Sequence, residues 1–250
     1  MTTDAPDSIN RTARLAGALY LAVMPFAFFG IMYVPSVLVV PGDPATTSRN
    51  ILASEFLFRS GTVSHLIGQI IFIFQVLALY RLLKPVNRDH AALMVILVLL
   101  SIPVVFLNEV NHLAVLRLLG NADVGAFTAS QLQEQAMLFL DMRENGVLIA
   151  LIFWGLWLLP LGLLVFRSGF LPKVLGVLLA IAGASYVIES GMQLLSPGLA
   201  TISQFTFVGE VLFTLWLLIR GVNVERWQEV ALHAHVADAG RPESRTVRST

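Results

Sequence analysis

Six blocks of nearly uninterrupted apolar residues, each approaching the length of a bilayer crossing, constrain this chain more than any other feature. Hydrocarbon offers no water to the peptide group, so a segment buried in it must satisfy its own backbone hydrogen bonds as a helix or in a closed barrel. At about 1.5 Å per residue, roughly 20 apolar residues cross a core of about 30 Å. Blocks of that length predict helices over about Leu15–Val34, Phe58–Tyr80, Ala91–Asn111, Gly146–Phe166, Leu171–Leu194 and Ile202–Ile219. Composition agrees: 56% of the 250 residues are hydrophobic and 13% charged, where a soluble domain carries about a quarter. The expected fold class is all-α, a polytopic membrane protein of six transmembrane helices. With no cysteine, disulfides, thiolate catalysis and zinc–sulfur sites are excluded. No basic stripe interleaved with aromatics supports nucleic-acid binding.

Of the 16 Lys and Arg residues, all but Arg49, Arg59, Arg117 and Arg143 fall on one side of this threading. The positive-inside rule then places both termini in the cytoplasm. The first block is read as an uncleaved span kinked at Pro25, because it outruns a signal-peptide core and no A-x-A site closes it. Short cytoplasmic connections, "KPVNRDH" (84–90) and "RSGFLPK" (167–173), make tight hairpins. In the outer connection "PGDPATTSRNILASEF" (41–56), Asp43 before Pro44 is a helix start, and that helix is expected to run into the second span. In "TASQLQEQAMLFLDMREN" (128–145), Ser130 and Gln133 have capping-box spacing, and one apolar face suits a helix in the outer interface. The organisation expected is a cytoplasmic segment 1–10, a transmembrane domain 11–222 and a cytoplasmic tail 223–250. Within the tail, Trp227, Val230, Ala231 and Ala234 lie on the inner surface, and the run beyond Ala237 is disordered.

Depth sorts the polar residues, because those near mid-span need a partner or water. Glu210 stands ten residues before Arg220, roughly 15 Å from the inner edge and near the midplane. His65 and Glu189 lie roughly 24 Å up by the same count. Asn108, Glu109, Asn111 and His112 end the third span, and Arg143, Glu144 and Asn145 precede the fourth. Polar groups thus load the outer halves of the spans, a pattern that predicts a pocket open outward and sealed below. Ordinary helix-to-helix glue, at about 0.6 kcal/mol per hydrogen bond, accounts for Asn108, Asn111, Gln69, Gln75 and Gln193 without any such pocket.

Glu109-x-x-His112 puts two potential metal ligands on one helix face, but di-metal carboxylate bundles need that motif twice. There is no G-x-S-x-G, no His-Glu-x-x-His and no Gly-rich phosphate loop, and Ser64 and His65 are neighbours that point about 100° apart on a helix. Trp154 and Trp157 read as packing. Catalytic residues and cofactors are unassigned.

The stretches "YVPSVLVVPGDPATTSRNILASEFLFR" (33–59), "VLALYRLLKPVNRDHAALMVIL" (76–97), "IFWGLWLLPLGLLVFRSGFLPKVLGVLL" (152–179) and "GEVLFTLWLLIRG" (209–221) together resemble the bacterial six-span membrane family catalogued as domain of unknown function 4386. The resemblance runs over roughly residues 10–222. It maps "NILASE"-like, "FWGLWLLP"-like and "GE-x-x-x-x-LW"-like segments onto Asn50 to Glu55, Phe153 to Pro160, and Gly209, Glu210 and Trp216. It implies a bacterial inner-membrane protein and no reaction. Where the family often has His or Asn before the fourth span, this chain has "DMRENG" (141–146), and no metal site is carried over.

The leading expectation is a non-enzymatic bundle in the lipid bilayer that binds a small or lipid-like ligand. Glu210 forms the floor of the pocket, with His65, Glu109, His112, Glu144 and Glu189 around its walls. The alternatives are a metal-dependent membrane enzyme with Glu109 and His112 as ligands, and a small transporter or stress-related scaffold. The apolar inner halves and the lack of inverted repeats weigh against transport.

Overall fold

The computed structural model describes residues 6–120, 127–196 and 202–239, and among them every regular element is helical. The first crossing begins as α1 (Pro6–Ala27), passes through a π-helical stretch at Phe28–Tyr33, and closes as the short α2 (Val34–Leu38). Pro25 sits in the last turn of α1, and the widened stretch follows it within one turn. After a turn at Pro41 and Gly42 comes α3 (Pro44–Ala53). Its N-cap is Asp43, whose carboxylate accepts from the Thr46 N–H at 2.8 Å. That backbone bond holds the Asp43 carboxyl below its ordinary pKa.

The expected continuation of α3 into the next span is interrupted at Ser54, where α4 (Glu55–Leu83) starts afresh. The third crossing is α5 (Arg88–Asn108), a break at Glu109, and α6 (Val110–Gly120), longer than the block that predicted it. The fourth differs most. Residues expected to form a separate interfacial helix belong to α7 (Ala129–Leu156), one continuous rod. Its capping box is Thr128 with Gln131, two residues before the predicted pair. A break at Trp157 leads into α8 (Leu158–Arg167). The fifth is α9 (Lys173–Leu195), and the last stretch comprises α10 (Ser203–Thr206), α11 (Val208–Ile219) and α12 (Val224–Ala239). Five helical stretches are long and apolar enough to cross a membrane. The bent pair 203–219 and 224–236, turned by 100°, brings the number to as many as six.

The bend at Gly221 stands at a positive φ of 68°, where a Cβ would also meet Asn10 Oδ1. It folds α12 against the end of the bundle where α1 begins, hereafter the near end. There Trp227 Nε1 donates to Leu82 O at 2.8 Å and Val222 N to Asn10 Oδ1 at 3.0 Å. Trp227 and Val230, expected on the inner membrane surface, pack against the core of the bundle. The run expected to be disordered lies, from residue 240 onward, outside the described residues.

Four glycines let α7 and α8 approach α9 closely. A Cβ on Gly155 would fall 2.6 Å from Gly183 O, and one on Gly183 would fall 2.7 Å from Gly155 O. Gly162 and Gly176 stand in the same reciprocal relation, at 2.7 and 2.6 Å. The two pairs are seven residues apart on each strand of an antiparallel hairpin, so one glycine seam joins α7 and α8 to α9. Lipid provides no hydrophobic drive for helices to associate, and backbones brought this close gain dispersion and Cα–H···O contacts instead. Gly183→Ala is therefore expected to lower stability by about 1–3 kcal/mol despite alanine's better helix propensity. Gly191→Ala, with nothing within 4 Å of its Cβ, is expected to leave stability unchanged or slightly raised. Thermal unfolding of both variants in detergent tests the contrast.

Candidate functional site

Glu109 occupies the break between α5 and α6, at the end of the bundle away from the termini, and it is the hub of a buried charge cluster. Its Oε1 accepts from His65 Nδ1 at 2.7 Å and from Arg143 Nη2 at 3.1 Å. The same Nη2 donates to Gly30 O, in the π-helical stretch, at 3.1 Å. His112 Nδ1 is 3.3 Å from Glu109 Oε2 without hydrogen-bond geometry, and 2.9 Å from Thr62 Oγ1. His65, Glu109, His112 and Arg143 are each at most 2% exposed. Four crossings thereby meet at one carboxylate.

Small residues let the elements come that close. A Cβ on Gly30 would lie 2.6 Å from Gly61 O and 2.9 Å from His65 Cβ, so the π-helical stretch lies flat on α4 beside the histidine. Asn108 lies over Gly146, where a Cβ would be 1.9 Å from its Oδ1, and donates to Arg143 O at 2.8 Å. On its other side His65 Nε2 is 3.4 Å from Gln69 Nε2, an arrangement suited to a ring that carries its proton on Nδ1 and accepts from the amide. The ring meets Trp154 edge-on at 6.2 Å.

Three of the six sequence-predicted residues, His65, Glu109 and His112, are thus brought together. Glu144 is exposed and lines a narrow cleft beside them, shared with Val34, Pro35, Leu38, Val39, Phe58, His112, Leu140 and Arg143. Its volume of about 10 Å³ is room for about one water-sized group. Glu189 and Glu210 have other partners. Both Ile202 N and Ser203 N donate to Glu189 Oε2 at 2.6 Å, so this carboxylate caps the start of α10. Glu210 is clasped by two phenols, Tyr20 on one oxygen and Tyr186 on the other, tying α11 to α1 and α9. Tyr20 in turn packs edge-on against Trp157 at 5.9 Å and Phe213 at 6.4 Å, and Phe72 against Trp157 at 5.1 Å. The single pocket with Glu210 as floor is therefore divided into a charge cluster, an aromatic layer and a separate carboxylate clasp.

Sequence reasoning passed over Arg143 as a site residue because it counted the fourth span from Gly146. Measured from Ala129, where the helix begins, Arg143 is fourteen residues in, roughly 21 Å, where it is buried in the bundle, and a cation so enclosed requires an acid. Tyr20, Tyr186 and Thr62 carried no signal beyond residue type.

Among the described residues no group of three or more His, Cys, Asp or Glu side chains is arranged to hold a metal ion. Glu109 and His112 do come within 3.3 Å of each other, but the guanidinium of Arg143 takes the cation position on Glu109, and His65 turns its Nδ1 to the same carboxylate. A dication there would meet a fixed positive charge.

A bundle of five to six apolar helices organised round a buried ion pair defines a multi-pass α-helical membrane protein. More particularly, the chain belongs to the family described as Domain of unknown function (DUF4386), whose family model matches residues 15–221. An uncharacterized protein of Archaeoglobus fulgidus is 46% identical over 70 residues, 28% of this chain and 43% of that protein. No solved structure matches.

Removing one member of a buried ion pair leaves the other uncompensated, at a cost of about 3–5 kcal/mol. Glu109→Gln and Arg143→Met are each expected to destabilise on that scale, and the double variant by clearly less than their sum. A double-mutant cycle on thermal unfolding measures the coupling; strict additivity would remove the pair as the organising contact.

Proposed function

We propose that this protein binds a small or lipid-like ligand at the cleft beside the charge cluster, with that end facing outward and both termini in the cytoplasm. The observation that carries the reading is an unmatched donor. Arg143 lines the cleft, is 2% exposed, and spends Nη2 on Glu109 and Gly30, while its buried Nε–H has no acceptor. Buried polar groups in proteins are almost always paired, and an orphaned one on a residue that lines a cleft suits a ligand that supplies the acceptor. Apolar Val34, Leu38, Phe58 and Leu140 around it suit the hydrocarbon part of an amphiphile. The excess of Lys and Arg at the near end supports the orientation.

Val39 lines the cleft and is only half-buried, so Val39→Trp fills the opening with little disturbance of the core. Mass spectrometry of extracts from detergent-purified protein is expected to show a near-stoichiometric small molecule or lipid in wild type and its loss in Val39→Trp. Identical extracts would end the reading.

Orientation is separately testable, because the chain has no cysteine of its own. A membrane-impermeant maleimide on intact cells is expected to label Ala45→Cys, at the far end, and to spare Lys84→Cys, at the near end.

A further inference from the structure

We infer that the cleft selects a zwitterionic amphiphile, a phospholipid whose head carries a primary ammonium next to a phosphate oxygen; this rests on the ligand-binding reading above. The argument is one of charge and size. Arg143 is already neutralised by Glu109 at 3.1 Å, so what it still offers is a hydrogen bond from Nε rather than an uncompensated positive charge. Both histidines already have partners on Nδ1: His65 on Glu109 at 2.7 Å and His112 on Thr62 at 2.9 Å.

The mouth carries carboxylates. Glu144 lines it, and Asp141, three residues earlier on α7, shares that helix face; both are exposed. A purely anionic head would bring its charge up to Glu109, Glu144 and Asp141 with a single guanidinium among them. A neutral head would gain nothing from the exposed Glu144 carboxylate, which water already solvates. A head bearing both charges meets both demands, with an oxygen reaching inward to Arg143 Nε and an ammonium staying outside on Glu144.

Size points the same way. A space of about 10 Å³ admits one oxygen, not a whole head group, so the rest of the head must lie at the mouth beside Glu144. The acyl chains would then run over the apolar lining formed by Val34, Leu38 and Leu140, next to the exposed Met32, Tyr33 and Val37 of the first crossing.

The test is native mass spectrometry of the full-length protein titrated with dioleoyl phosphatidylethanolamine, dioleoyl phosphatidylglycerol and dioleoylglycerol. Wild type, Glu144→Gln and Val39→Trp are compared. The first lipid is expected to bind wild type about fivefold more tightly than the other two, the upper range for an exposed ion pair. Glu144→Gln, an exposed and nearly isosteric change, is expected to erase that preference without abolishing binding. If phosphatidylglycerol or dioleoylglycerol binds wild type as well or better, or if Glu144→Gln keeps the preference, the zwitterion assignment is overturned while ligand binding at the cleft stands. If no lipid distinguishes wild type from Val39→Trp, both readings fall. Displacement of the bound lipid by glycerophosphoethanolamine at equal concentration would overturn the lipid and point to a soluble head-group compound.

Discussion

An arginine buried among apolar helices is tolerable only beside a carboxylate, and the position of Glu109 therefore governs how the far half of this bundle is assembled. A charge shut away from water inside a protein is costly, by several kcal/mol when it is left unpaired. The 3.1 Å pairing of Arg143 with Glu109 offsets that cost only because four crossings converge there. The interruption between α5 and α6 carries the carboxylate, α4 presents His65, α7 presents Arg143, and the π-helical stretch of the first crossing turns Gly30 O toward the guanidinium. The irregularities of the chain thus gather where polar groups need the backbone to bend, the usual setting of π-helical turns and broken helices at membrane depth.

Below this cluster the bundle changes its means of cohesion. Trp157, Tyr20, Phe72 and Phe213 form an aromatic layer, and Tyr20 passes from that layer to Glu210 through its hydroxyl. The glycine seam of α7, α8 and α9 needs no polar group at all. Charge, hydrogen bonding and close backbone contact each hold a different level of the same helices. A ligand drawn to Arg143 would act on the charged level, where the backbone is least regular.

Much of the fold was legible in the sequence. The apolar blocks announced the crossings, and Asp43 before Pro44 marked the start of α3 where it occurs. The tail's Trp227 and Val230 were read as a face laid on the inner membrane surface, whereas they pack against the near end of the bundle itself. Misreadings arose where amphipathic sequence continued an apolar block: "QLQEQAMLFLDMREN" looks interfacial, yet it is the far half of α7, because its polar positions include the arginine that Glu109 neutralises. Hydropathy weighs each residue alone and cannot see that a charge has found its partner.

What the sequence determined by itself was the class of protein, through the length and spacing of apolar segments, and the short set of polar residues whose depth demands an explanation. His65, Glu109 and His112 were recognisable because burial makes each of them expensive. Only the tertiary structure decided which of them belong together. It joined these three to Arg143, sent Glu189 to the start of α10 and Glu210 to two tyrosines, and left Glu144 at the mouth of a cleft. The reason is geometric: depth is a property of position along one helix, whereas partnership depends on the rotation of neighbouring helices about their axes. That rotation is set here by glycines, by helix breaks and by one ion pair.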